Sequence, residues 1–129
     1  MLTPAAIVAI LDAGAEGIPL DGLVGPAHVS TVIGSAPYEF VAEKYRKPIV
    51  ISGFEPLDVM QSVLMLVQQA NSGRAEVENE FTRAVTRTGN RKAQAVVDQV
   101  FSLRESFEWR GLGTIAKSAL RLRDEFATF

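Results

Sequence analysis

Ile49-Val50-Ile51 is an unbroken β-branched run, bounded by Pro48 before it and Ser52-Gly53 after it. A strand with one wet face alternates apolar and polar residues, whereas a continuous apolar run marks a central strand covered on both faces, as in a parallel sheet under helices. The residues that follow, Phe54-Glu55-Pro56-Leu57-Asp58, read as a helix start with Glu55 at the cap and proline in the first turn. A shorter unit of the same plan precedes it: an apolar stretch at 20–24, the break Gly25-Pro26, and then Ala27-His28 leading a compact segment that Gly34 stops. In an open parallel sheet the two loops share the edge at the carboxyl ends of the strands, where ligands of such sheets bind. His28 and Glu55 would then face a common crevice.

The rest of the chain fits the same plan. Thr3-Pro4 starts a first helix that carries Ile7, Ile10 and Leu11, with Gly14 able to end it and a loop over residues 17–22. Ser35-Ala36-Pro37 opens another helix with Tyr38, Val41 and Tyr45 on one face, and Pro48 lies past its end. The helix from Pro56 runs to Asn71 with Gly73 beyond it, and bears the apolar stripe Leu57, Met60, Val63, Leu64 and Val67 that an amphipathic helix turns toward its core. Residues 75–81 alternate, with Glu76, Glu78 and Glu80 on one side, which predicts a half-exposed strand near an edge. Asn90 caps a helix bearing Ala93, Val96, Val97, Val100 and Phe101. Residues 107–115 read as a strand interrupted by Gly111 and Gly113, and residues 118–129 fit either a strand or a helix, the helix being preferred. This alternation predicts a single α/β domain over 1–129, with a mostly parallel central sheet and helices on both faces, a Rossmann-like three-layer sandwich.

Composition removes several function classes. A chain of 129 residues is long enough to bury a core without covalent staples. No apolar stretch approaches the ~20 residues that cross a bilayer, and no basic region followed by a cleavable apolar segment opens the chain. A cytoplasmic location without membrane contact is expected. Thirteen basic residues against fifteen acidic ones, with no basic block, argue against nucleic acid as a partner. The absence of cysteine excludes disulfides, thiolate nucleophiles, iron-sulfur ligation and cysteine-based zinc sites within this chain, so any metal would rely on His28 and carboxylates. Neither a Walker loop, a G-x-S-x-G elbow nor an H-E-x-x-H helix is present.

Each candidate residue has a plainer reading beside the chemical one. His28, the only histidine, has a side chain type that changes charge near neutral pH and that ligates iron, nickel or zinc when neutral, yet it could simply tie the 25–30 loop by hydrogen bonds. Glu55 and Asp58 are explained as a helix cap and a first-turn carboxylate. That leaves Gly53-Phe54, a glycine that permits close backbone approach followed by a large apolar side chain, which suits a loop lining a cleft. The amides of this helix start could hold a small anion only with a cation between the two carboxylates. Trp109-Arg110-Gly111-Leu112-Gly113 reads as a core aromatic beside a surface arginine, and the three glutamates at 76, 78 and 80 as a solvated strand face without a histidine among them.

The runs Gly25-Pro26-Ala27-His28-Val29-Ser30-Thr31-Val32-Ile33-Gly34, Gly53-Phe54-Glu55-Pro56-Leu57-Asp58 and Glu108-Trp109-Arg110-Gly111-Leu112-Gly113 occur in that order, with Pro37-Tyr38-Glu39-Phe40 and Val77-Glu78-Asn79 between them. Together they resemble the HypD family of hydrogenase maturation factors. The resemblance implies a longer protein, with two α/β domains around a cleft and a 4Fe-4S domain, of which this sequence matches the second α/β domain. It implies a part in assembling the iron-cyanide-carbonyl group of nickel-iron hydrogenases, with a HypC-type chaperone and a HypE-type cyanide donor as partners beside the remaining domains of the same protein. Carried over by motif, His28, Glu55 and Asp58 become cleft residues, with His28 the candidate metal contact and Ser30 a secondary polar contact to the bound group. Ala27 stands where the family commonly has glycine. Redox-active cysteines and cluster ligands fall outside the matched region, so no cofactor is expected in this stretch, iron and the 4Fe-4S cluster belonging to the longer protein.

The expected function is therefore one wall of an interdomain cleft, inactive by itself. Two alternatives remain open at this point: a protein-docking module for the chaperone without contact to the iron, whose mark would be exposed apolar surface, and a stand-alone hydrolase using His28 with Asp58.

Overall fold

The β-branched run becomes the middle of a parallel sheet. In the computed structural model, which describes residues 2–13 and 20–127, β1 (Leu23–Pro26), β2 (Ile49–Ser52) and β3 (Val77–Asn79) lie in the order β1-β2-β3. Leu23 pairs with Ile49 and Pro26 with Ser52 on one side; Ile49 pairs with Val77 and Ile51 with Asn79 on the other. Ile49, Val50 and Ile51 have no exposed surface, and each contributes roughly 1.5–3 kcal/mol relative to an exposed side chain. Helices flank this sheet: α2 (Ala27–Ile33), a 3-10 turn (Ala36–Tyr38) leading into α3 (Glu39–Tyr45), and α4 (Pro56–Asn71). Ala27, Tyr38 and Val41 complete the sheet's fully buried apolar set.

The chain divides into two compact units, Pro19–Arg91 around this sheet and Met1–Ile18 with Lys92–Phe129. The second contains α1 (Thr3–Ala13), nearly all of α5 (Arg91–Val100), and four short strands: β4 (Phe101–Leu103), β5 (Ser106–Trp109), β6 (Gly113–Ala116) and β7 (Leu120–Leu122). β4 pairs with β7 and β5 with β6, both antiparallel. Its buried residues, among those described, are Ala6, Ile7, Ile115, Ser118 and Ala119. The Trp109 indole N–H donates to Ser118 Oγ at 2.8 Å, and Leu2 N–H donates to the Ser118 carbonyl at 2.7 Å. Among the described residues no helix is long and apolar enough to cross a membrane.

Several expectations change. The predicted break at Gly25-Pro26 is strand: β1 runs through both residues and begins at Leu23 rather than at residue 20. Gly25 is there for packing, because a Cβ would lie 2.6 Å from Ile51 Cδ1, and Pro26, without an N–H, ends a strand that is an edge in this sheet. The parallel alternation stops at β3. The strand expected over 107–115 is a hairpin, since Gly111 and Gly113 both take positive φ and turn the chain back. Phe101, expected on the helix after Asn90, starts β4 instead, and the preferred C-terminal helix gives way to β7 and a 3-10 turn at Asp124–Phe126. The α4 stripe does not face a core: Leu57, Met60, Val63, Leu64 and Val67 are all exposed, while Asp58, Ser62 and Gln69 are buried. The predicted helix stop at Gly14, the loop residues 17–19 and the final residues 128–129 lie outside the described residues.

Candidate functional site

Because β1, β2 and β3 are parallel, the segments leaving them open on one edge of the sheet. β1 leads directly into α2, where His28 is exposed in the first turn. Its Cα neighbour Ala27 is fully buried and is not among the residues with positive φ, so the extra Cβ sits in ordinary helical conformation. β2 leads into Gly53-Phe54 and then α4, and the His28 and Phe54 rings meet with centroids 4.4 Å apart at 39°. The loops carrying the imidazole and the Glu55 carboxylate are thus brought together by an aromatic contact.

The acidic side is wired more tightly. Glu55, in extended conformation, and Pro56 start α4, and Glu55 and Asp58 form a capping box in which Asp58 Oδ2 accepts from the Glu55 amide at 3.3 Å. The same Asp58 oxygen accepts from Arg83 Nη2 at 2.7 Å, and that nitrogen lies 3.8 Å from Glu55 Oε2. Arg83 belongs to the segment leaving β3, and its guanidinium lies 4.0 Å over the Phe81 ring. Glu80, from the same segment, accepts from the Gly53 amide at 3.4 Å. The Arg83 hydrogen bond, helped by the Glu55 amide and by the positive charge itself, holds the Asp58 carboxyl below its ordinary pKa against the opposing effect of burial. Asp58 raises the Arg83 pKa in return.

Gly53 is what lets this cluster close. A Cβ there would run into the Asp58 carboxylate and lie 2.6 Å from Phe81 Cδ2, so only glycine lets the backbone pass under both. The result is an asymmetric edge. Asp58 is 6% exposed in its side chain and fully engaged, whereas the Glu55 side chain is 79% exposed and Phe54 is 64% exposed.

Ser30 lies elsewhere. It is completely buried, its hydroxyl donates to the Pro26 carbonyl at 2.6 Å and lies 3.4 Å from Tyr38 Oη, and it fastens the start of α2 to the end of β1. Burial pushes the Tyr38 phenol up against the lowering effect of that Ser30 contact. The three glutamates of the 75–81 segment do not share one solvated role. Glu76 pairs with Arg74 at 3.0 Å, Glu78 accepts from Gln69 Nε2 at 2.7 Å, and Glu80 meets Gly53. Among the described residues no group of three or more His, Asp or Glu side chains is arranged to hold a metal ion. His28 therefore belongs to no closed ligand set among them.

Arg83 has no part in the expectations drawn from the sequence, and Glu80 enters them only as part of a solvated strand face. A third parallel strand puts whatever follows its carboxyl end on the same edge, so an arginine shortly after Asn79 was a readable signal once β3 had been placed.

Comparison with known proteins gives a consistent result. A family model described as "HypD: Hydrogenase formation hypA family" matches residues 1–129. The chain is 63% identical over 133 aligned positions to the hydrogenase maturation factor HypD of Cupriavidus necator, and 62% identical over 132 to the hydrogenase expression/formation protein HupD of Azotobacter chroococcum. In both cases all of this chain aligns with 35% of the relative. A putative hydrogenase expression/formation protein of Methanocaldococcus jannaschii is 42% identical over 88% of this chain and 32% of its own length. The chain thus spans about a third of the length of the curated relatives it matches.

Proposed function

This chain belongs to the HypD family of hydrogenase-formation proteins, and on that premise we propose that it forms one wall of the cleft in which a longer maturation factor assembles the iron-cyanide-carbonyl group of nickel-iron hydrogenases. The observation that carries the reading is the asymmetric sheet edge. The His28 ring is exposed against Phe54 and the Glu55 side chain, next in the chain, is exposed as well, while Asp58 is paired with Arg83. Iron bearing diatomic ligands is the substrate here. His28 supplies an imidazole N–H to a cyanide nitrogen or a lone pair to the iron, Glu55 accepts hydrogen bonds from the complex, and Asp58 with Arg83 keeps the loop in place. Ser30 acts through the position of α2 and not by touching the bound group.

The three parallel strands, with β2 buried on both faces, form in this reading the centre of a Rossmann-like three-layer sandwich in the longer protein. The partners are a HypC-type chaperone and a HypE-type cyanide donor, in the cytoplasm. By itself the chain lacks turnover, since it has no cysteine for soft low-spin iron or for a cluster to pass electrons.

The test is His28→Ala in the longer protein, read by the cyanide and carbonyl infrared bands of the purified complex with its chaperone. The bands should vanish or weaken with chaperone binding intact. Maturation that survives while chaperone binding fails would favour the docking alternative, and survival of both would remove His28 from the site.

A further inference from the structure

α4 turns its polar residues inward and its apolar residues outward. Against the sheet it buries Asp58, Ser62 and Gln69, all of them satisfied: Asp58 by Arg83 and the Glu55 amide, Ser62 Oγ by donating to the Asp58 carbonyl at 2.8 Å, and Gln69 by Glu78 at 2.7 Å and the Glu76 amide at 2.8 Å. The opposite side shows Leu57 at 78% exposure, Met60 at 69%, and Val63, Leu64 and Val67 each near half. These positions recur at intervals of three and four and make one continuous stripe.

Charge decides what kind of surface this is. The sequence PLDVMQSVLMLVQQAN contains a single charged residue, Asp58, and that one is buried. A helix that faces water throughout carries charged residues on its outer side, and a surface that binds and releases partners is bounded by a polar rim. Depletion of charge marks the core of an interface, and the more apolar interfaces, which resemble a domain core cut in half, are the obligate ones. Because the chain aligns end to end with only 35% of its relatives' length, most of the polypeptide available to cover it lies in the same longer protein.

We propose that the outward face of α4 is an obligate intramolecular interface, covered in the longer protein by an apolar face from the remaining two-thirds of the same polypeptide, packed along Leu57, Met60, Leu64 and Val67. The inference is independent of what His28 binds. It assigns α4 two distinct tasks: its first turn holds the site's carboxylates, and its outer stripe holds the rest of the protein.

Met60 makes the test direct, because an accessible methionine is oxidised to the sulfoxide by dilute peroxide and a packed one is protected. In the longer protein at low concentration, the Met60 oxidation rate is measured by peptide mass spectrometry, native and in urea. The native rate should be at least about tenfold slower than the unfolded one, and independent of protein concentration. Equal rates would overturn the proposal. So would protection that appears only as concentration rises, which would assign the face to a second copy, or only when the chaperone is added, which would assign it to a separate partner, or equally in the 129-residue chain alone, which would assign it to this chain's own second unit. Leu64→Lys in the same protein should speed Met60 oxidation without loss of the sheet's far-UV signal, and no change in that rate would also count against the interface.

Discussion

Two loops meet over the same sheet edge and are held by different means. The loop after β2 is fixed through Asp58, which draws together the start of α4, the Glu55 amide and the guanidinium of Arg83 from beyond β3. The loop after β1 presents His28 with its ring against Phe54, a residue that is itself mostly exposed. One side is a closed electrostatic cluster and the other an open imidazole. Such a division fits the proposed site: preorganised charges avoid reorganisation, and the His28 ring, with no hydrogen bond among the described residues, is open to act as donor or ligand.

The largest way to break the comparison is at Gly53. Gly53→Ala forces a methyl group against the Asp58 carboxylate and Phe81, and overpacking of this kind costs about 1–3 kcal/mol. Urea unfolding should show a lower midpoint at unchanged slope. A neutral result would mean that the carboxylate moves aside easily and that the acidic loop is no more fixed than the imidazole one.

A smaller effect at neutral pH, growing with acid, is expected from Arg83→Met. The Asp58 carboxyl is held below its ordinary value by Arg83 first of all, so its contribution to stability is fully present above the unfolded carboxylate pKa of about 3.9 and is lost as pH falls through the lower folded value. Without the guanidinium the largest lowering influence is gone, burial is opposed only by the weaker contacts of the Glu55 amide and Glu80, and the Asp58 pKa rises above that of the parent. The variant should therefore begin to unfold at higher pH than the parent in an acid titration followed by circular dichroism. Coincident acid transitions would show that the 2.7 Å ion pair does not hold the loop.

How much of this was readable in the sequence follows from how local each signal is. β2 and the start of α4 were legible because a β-branched run and a proline after a capping glutamate act through their immediate neighbours. β1 was placed too early because Gly25 reads as a chain breaker, whereas its real constraint is the side chain of Ile51, on another strand. Arg83 was missed because its partner lies 25 residues away, a distance over which no periodicity speaks. The apolar stripe of α4 was visible and its direction was not. Periodicity says that a face needs cover, and only the satisfied polar residues on the other side reveal that this sheet does not provide it. The turn at Gly111 and Gly113 was seen as an interruption, and positive φ at both made it a reversal.

The smallest expected change sharpens the comparison from the imidazole side. If the His28 ring is free for a bound group, His28→Ala should shift the stability of this chain by no more than about 0.5 kcal/mol, the range of surface substitutions away from structural features. If instead the ring ties the 25–30 loop, its loss and that of the Phe54 contact should cost more, since a well-packed aromatic pair is worth about 0.5–1.5 kcal/mol beyond its buried area. Urea midpoints of His28→Ala and Phe54→Leu, alone and combined, separate the cases. Small, additive effects keep the ring available, whereas a large effect shared by both single variants would make His28 a fastener like Ser30 and leave Glu55 as the exposed polar group of the pair. That outcome would move the proposed chemistry of this edge from an imidazole to a carboxylate, and with it the kind of atom, hydrogen-bond acceptor or donor, that a group bound there would have to present.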